Sequence, residues 1–232
     1  MSKIDVAIDI TNALGKGIYS VGEDIVLGLD RTREGLGMGH DGRMAEIGFE
    51  NAAMVSLIKN IVKYGIIDRN NPIYKSIVSI LETYYSYFPD QVIDILAKEA
   101  GIATGYVVGR TVIGVRLATI VATRIATAIA ASAAYKQFAK RLGVSAAAGS
   151  SGVGIPITMV MLQGVLQRSS NAAKRLKMKC PRLYSKLERN GDLELIYFLI
   201  EKPLNNHIEA IANAERNNVE FQNSVKRKYK LN

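Results

Sequence analysis

GIATGYVVGRTVIGVRLATIVATRIATAIAASAAY, residues 101–135, decides the fold. These thirty-five residues contain no acid and only three charges, Arg110, Arg116 and Arg124. Strand signals are nearly absent from the chain, and this stretch reads as one long, small-residue-rich helix. About 20 helical residues, at roughly 1.5 Å each, cross roughly 30 Å of hydrocarbon, so the segment is long enough to span a membrane. A second stretch, Leu142 to Gln167, has twenty-six residues and no charge at all. The basic knot Lys136, Lys140 and Arg141 lies between the two. Together they predict a hydrophobic helical hairpin over 101–167, a membrane-insertion candidate. Gly149, Gly152, Gly154 and Pro156 break the second arm early and leave Ile157 to Gln167 as its strongly apolar helix, so the first arm is the stronger span.

Two faces can be read along the first arm. Gly114, Ala118, Ala122, Ala126, Ala130 and Ala134 recur at four-residue steps, preceded by Gly101, Gly105 and Gly109 at the same step in a shifted phase. Small side chains on one face let a second backbone approach closely, as where helices associate inside a bilayer. The alternative is a buried central helix in a soluble core, where alanine is also frequent. The other face carries Arg116, Thr119, Thr123 and Thr127, with Arg110 and Arg124 within roughly 120° of Arg116 at about 100° per residue. Intramembrane arginines are costly and face water or another helix. These six residues are therefore the candidate pore wall, the competing reading being ion pairs in a soluble fold.

Outward from the hairpin the chain turns amphipathic. Residues 1–100 form a mildly acidic region, with ten basic and fourteen acidic side chains. Helices are expected over Ile4 to Leu29, Met44 to Tyr64, Ile73 to Phe88 and from Pro89 to about Glu99, where apolar residues keep a helical spacing and Asn70, Asn71 and Pro72 punctuate. Residues 168–232 form a basic region: basic helix over Ser169 to Lys179, a helix opened by Pro181 and stopped by Gly191, a short apolar one ended by Pro203, and a polar one to about Lys228. The expected fold is all-α, a helical bundle of about eight or nine helices around a central hydrophobic helical hairpin.

Net charge is +9 overall, but residues 101–232 carry twenty basic and seven acidic side chains. Lys174, Arg175, Lys177, Lys179 and Arg182, with the knot at Lys136, Lys140 and Arg141, form a basic cluster beside the hairpin. Such a field suits anionic lipid head groups or nucleic-acid phosphates. Only Tyr184 is interleaved among the cations as an aromatic, so a base-stacking platform has little support. Anionic lipid is the expected partner, and nucleic acid is not.

Catalytic chemistry has poor support. Gly37, Gly39 and Gly42 spell a dinucleotide fingerprint, but Arg31 to Glu34 stand where a buried strand should precede it. His40 and His207 are the two histidines and Cys180 the one cysteine, so neither a zinc set nor a disulfide is expected. A Cys180–His207 nucleophile pair fits the residue types less well than an inert thiol. No cofactor and no enzymatic activity are expected. Asp5 and Asp9 interrupt what would be a signal core, so synthesis in the cytoplasm without a secretory signal peptide is expected.

With an insertion hairpin, basic flanks and no signal peptide, the chain resembles pore-forming bacterial toxins. It looks most like the small ion-selective effectors delivered by type VI secretion systems. The likeness is one of architecture, residues 101–167 set between amphipathic regions, and it extends distantly to colicin pore-forming domains, whose hairpin is nearer the C-terminus and lacks the three arginines. The resemblance implies export by a non-Sec route through secretion machinery or a chaperone. It further implies insertion into the target's inner membrane as a homo-oligomer, ion conduction that depolarises that membrane, and a cognate immunity protein in the producer. Two other readings fit the same residues: a non-toxic helical membrane-associated structural or partner-binding protein, and a soluble basic nucleic-acid-binding helical protein.

Overall fold

The computed structural model of the protein describes residues 44–102, 109–131 and 155–231. Among these residues the chain is all α, with eight α-helices, one 3-10 helix and no strand. In order they are α1 (Met44–Lys63), α2 (Pro72–Ser86), α3 (Asp90–Glu99), α4 (Arg110–Ala131), α5 (Ile155–Lys179), α6 (Pro181–Arg189), the 3-10 helix (Leu193–Leu199), α7 (Asn205–Arg216) and α8 (Asn218–Lys228). The helix expected over Ile4 to Leu29, and the glycines at 37, 39 and 42 with His40, lie outside the described residues.

Local chemistry sets most helix ends. Asn71 caps α2: its Oδ1 accepts from the Ile73 amide at 2.9 Å while its Nδ2 donates to the Tyr64 carbonyl at 2.8 Å, and Pro72 follows. Proline there loses nothing, because the first helical amides have no partner inside the helix. Pro89 precedes α3 and Pro181 opens α6 in the same way. Gly101 closes α3. Its φ of 71° is left-handed, and the amides of Gly101 and Ile102 turn back to the carbonyls of Lys98 and Ala97 at 3.0 and 2.8 Å. This is a Schellman ending, which glycine adopts without the steric cost of a Cβ.

Two helices differ from the expectation. The apolar end of the hairpin's second arm and the basic helix after it are one 25-residue helix, α5, so the expected boundary at 167 falls inside it. Ser169 and Ser170, residues that often cap or break helices, instead find tertiary partners: Ser169 donates to the Leu195 carbonyl and Ser170 to Glu50 Oε1 at 3.0 Å. The long polar helix before Lys228 is divided into α7 and α8 at Asn217, whose extended backbone (φ −148°, ψ 89°) and side chain cap α8. Val219, in the first turn of α8 just past that break, is 70% exposed.

Among the described residues, two apolar clusters form the interior. The larger joins α1, α2, α4, α5, α6, the 3-10 helix and α7 around Ile77, Ile80, Leu81, Leu176, Leu187 and Ile208. In the smaller one, Val92, Ile93 and Ala97 of α3 meet Ile113 and Leu117 of α4 and Val225 of α8. The 3-10 helix, LELIYFL, is buried at Leu193, Leu195, Ile196 and Leu199 and runs as an inner strut against α5, α2, α6 and α1. The principal neighbour of α4 is α2, with α3 against its first turns, whereas α5 packs on the 3-10 helix, α6 and α1. The two apolar arms thus each lie against amphipathic helices.

Candidate functional site

The small residues of α4 face inward. Ala118, Ala122 and Ala126 are each 0% exposed and belong to the cluster shared with α2, while Ala130 and Gly114 are half-buried. Four-residue steps drift by about 40° each around a helix, which keeps the three alanines on one side. A Cβ at Gly114 would meet nothing within 4 Å, so the close contact begins one turn further on, at Ala118. Gly101 ends α3 and Gly109 precedes α4, so these two stand off the face. Gly105 and Ala134 lie outside the described residues.

The polar residues face away from α2 or stand at the edge of that contact. Arg116, Arg124 and Thr127 are exposed, and Thr119 and Thr123 half-buried. Each threonine hydroxyl donates to the carbonyl four residues before it: Thr119 to Val115 at 2.8 Å, Thr123 to Thr119 at 2.8 Å, Thr127 to Thr123 at 2.7 Å. Such back-bonding satisfies the hydroxyl within its own helix and suits an apolar exterior. Arg110 opens α4, and its side chain lies outside the described residues.

The basic cluster is largely engaged. Arg175 grips Glu201 with both Nε and Nη2, at 3.0 and 2.7 Å. Lys179 pairs with Glu209, and Lys177 lies over the Tyr184 ring at 5.1 Å. Arg182 stands near enough to Tyr87 to oppose the rise that burial gives its phenol pKa, and Lys174 is exposed. Lys186, further along the same run, bridges α6 to α2 through Glu82 Oε2 at 3.0 Å, with Ser79 and Thr83. Lys136, Lys140, Arg141, Gly149, Gly152 and Gly154 lie outside the described residues; Pro156 occupies the first turn of α5.

One arrangement was not legible in the sequence. An open cleft of about 910 Å³ lies between the start of α2 and the outer side of α4, lined also by Gly101 and Ile102 after α3 and by Asn190 after α6. Arg69 and Lys75 line it together with Arg116. More than forty residues separate Lys75 from Arg116, and no spacing rule joins them.

Among the described residues, buried ionisable groups are few. Cys180 donates to the Ile208 carbonyl at 3.4 Å, and burial pushes its thiol up to about 12, which leaves little thiolate. The neighbouring His207 ring packs edge-on against Tyr84 at 4.9 Å, and burial lowers its pKa. Glu194 sits in the 3-10 helix with its Oε2 unpaired. Burial, then the nearby carboxylates of Asp192, Glu188 and Glu50, raises its pKa to about 7. No group of His, Cys, Asp and Glu able to hold a metal occurs among the described residues. Compared with known proteins, the chain matches no family model, no curated protein and no solved structure.

Proposed function

We propose that this protein is a membrane-inserting pore-former in which α4 crosses the bilayer, conducting ions and depolarising a target cell's inner membrane. One observation carries the reading. Thr111–Ala131 is twenty-one residues long with mean hydropathy 1.7, yet only 39% of its most apolar window is buried. A core helix of a soluble bundle hides most of its surface, whereas this one leaves Val112 and Val115 exposed.

In this reading α2 and α3 sheath the alanine face of α4 until lipid replaces them. The same alanines then serve helix–helix contacts between protomers, where small residues permit close approach. Arg116, Thr119, Thr123 and Thr127 turn toward the aqueous path. One or two spans per protomer cannot enclose such a path, so the conducting form is an oligomer. Delivery from a producer cell by a non-Sec route, and protection by an immunity protein, complete the proposal by analogy with the toxins it resembles.

The test is conductance. Purified protein added to planar bilayers containing anionic lipid is expected to produce ion-selective current at micromolar concentration, weakening as salt screens the basic half. No current under those conditions rejects the pore. A fusion to a secretion signal is expected to be toxic where the cytoplasmic form is tolerated; equal harm from both would point to an intracellular target.

A further inference from the structure

We propose that the cleft between α2 and α4 binds the phosphate of an anionic phospholipid. Three cations line it, from three parts of the chain: Arg69 from the turn before α2, Lys75 from the first turns of α2, and Arg116 from α4. All three are exposed, and none makes an ion pair or side-chain hydrogen bond among the described residues. The one acid in the lining, Glu82, is already held by Lys186 at 3.0 Å. The cleft therefore presents three uncompensated positive charges. Guanidinium forks match phosphate oxygens in shape as well as charge, and a lysine adds a mobile third donor.

The rest of the lining decides what kind of phosphate fits. Val78, Ile102, Val115, Ile120 and Leu193 supply an apolar wall behind the cations. The volume, about 910 Å³, sits near the top of the roughly 300 to 1,000 Å³ common for small-molecule clefts. Inorganic phosphate uses the charges and leaves that wall wet; a glycerophospholipid covers it with the start of its acyl chains. Arg116 stands on the helix proposed to cross the membrane, so engaging a head group there brings α4 to the lipid surface before it leaves α2. The choice of lipid as the source of the phosphate rests on the membrane reading, while the cleft's affinity for phosphate does not.

Isothermal titration of the full chain separates these possibilities, with dihexanoyl-phosphatidylglycerol below its micelle concentration and glycerol 3-phosphate as probes. The short-chain lipid is expected to bind at least tenfold more tightly than glycerol 3-phosphate. Arg69→Gln, Lys75→Gln and Arg116→Gln are each expected to weaken lipid binding about tenfold, the loss of one charge-assisted contact. Lys59→Gln, an exposed cation on α1 outside the cleft, is expected to leave it unchanged. Thermal melts should match the wild type, because none of these side chains is buried or paired. Equal affinity for the two probes would assign the cleft to soluble phosphate and overturn the lipid. Binding unaltered in all three cleft variants would overturn the site. Lipid binding without bilayer current would reject the pore and leave the cleft standing; current without binding would reject the cleft alone.

Discussion

The Tyr74 hydroxyl lies 3.0 Å from Thr123 Oγ1. Thr123 Oγ1 spends its own proton on the Thr119 carbonyl at 2.8 Å, so the tyrosine is the donor. This bond ties α2 to α4 beside the buried alanines and is a polar stitch in an otherwise apolar contact. Tyr74→Phe is expected to cost about 1 kcal/mol of stability. Thr123→Val should cost a similar amount, and a double-mutant cycle by denaturant unfolding should show coupling of about 0.5 to 1 kcal/mol, since both changes remove one bond. Fully additive costs would mean that the contact does not hold the two helices.

Overpacking tests the alanine face itself. Ala122 is 0% exposed against α2, and added methylenes in a packed interior cost about 1 to 3 kcal/mol. Ala122→Leu is therefore expected to lower the Tm, while the helix propensities of Ala and Leu differ by only about a few tenths of a kcal/mol. In the pore reading the same variant partitions into liposomes at least as well as wild type, yet conducts less. Unchanged Tm would show that the face is looser than its burial implies.

Two glycines from the same four-residue pattern should respond in opposite directions. Gly114 is inside α4 with nothing within 4 Å of a built Cβ. Gly114→Ala should therefore gain about 0.5 to 1 kcal/mol through helix propensity alone. Gly101 has equal space, but its φ is +71°, and Gly101→Ala should lose about 1 kcal/mol from the left-handed backbone. Thermal melts of the pair measure both, and a shared sign would contradict the placement of Gly101 at the end of α3.

Glu194 makes stability depend on pH. Its folded pKa, about 7, lies above the ordinary 4.5, so between those values the folded chain holds a proton that the unfolded chain has released. Stability contributed by the neutral carboxyl is present below about pH 4.5 and is lost as pH rises to about 7. Glu194→Gln is expected to stabilise the protein at pH 8 by about 1 to 2 kcal/mol, after discounting for solvent screening, and to change little at pH 4.5. Urea unfolding at the two pH values checks this, and equal effects at both would remove the carboxylate as the cause.

Much of the fold is readable residue by residue, because the signals are local. Asn71 with Pro72 announces the start of α2, Pro181 that of α6, and Gly191 the stop after α6, whereas Gly101, read as the first step of the hairpin's small-residue ladder, is instead the stop after α3. Each works through groups within a few residues: a cap oxygen, a missing amide, a left-handed φ. The spacing of Ala118, Ala122 and Ala126 likewise announces a close-packing face, since helical geometry alone places them together. Length and composition of Thr111–Ala131 announce a helix able to cross a bilayer.

What covers that face was decided only by tertiary structure. A four-residue ladder states that some backbone comes close, not whose; here it is α2, seated by Ile77, Leu81 and the Tyr74 stitch. The continuity of α5 through Ser169 and Ser170 depends on Leu195 and Glu50. Spacing along a chain cannot show that polar side chains have found partners far away. For the same reason a run of cations read as an open basic field is partly spent on Glu201, Glu209 and Glu82. Arg69, Lys75 and Arg116 meet at one cleft because α2 and α4 pack side by side. Periodicity orders residues around a single helix axis, whereas the pairing of axes follows from the summed burial of many side chains.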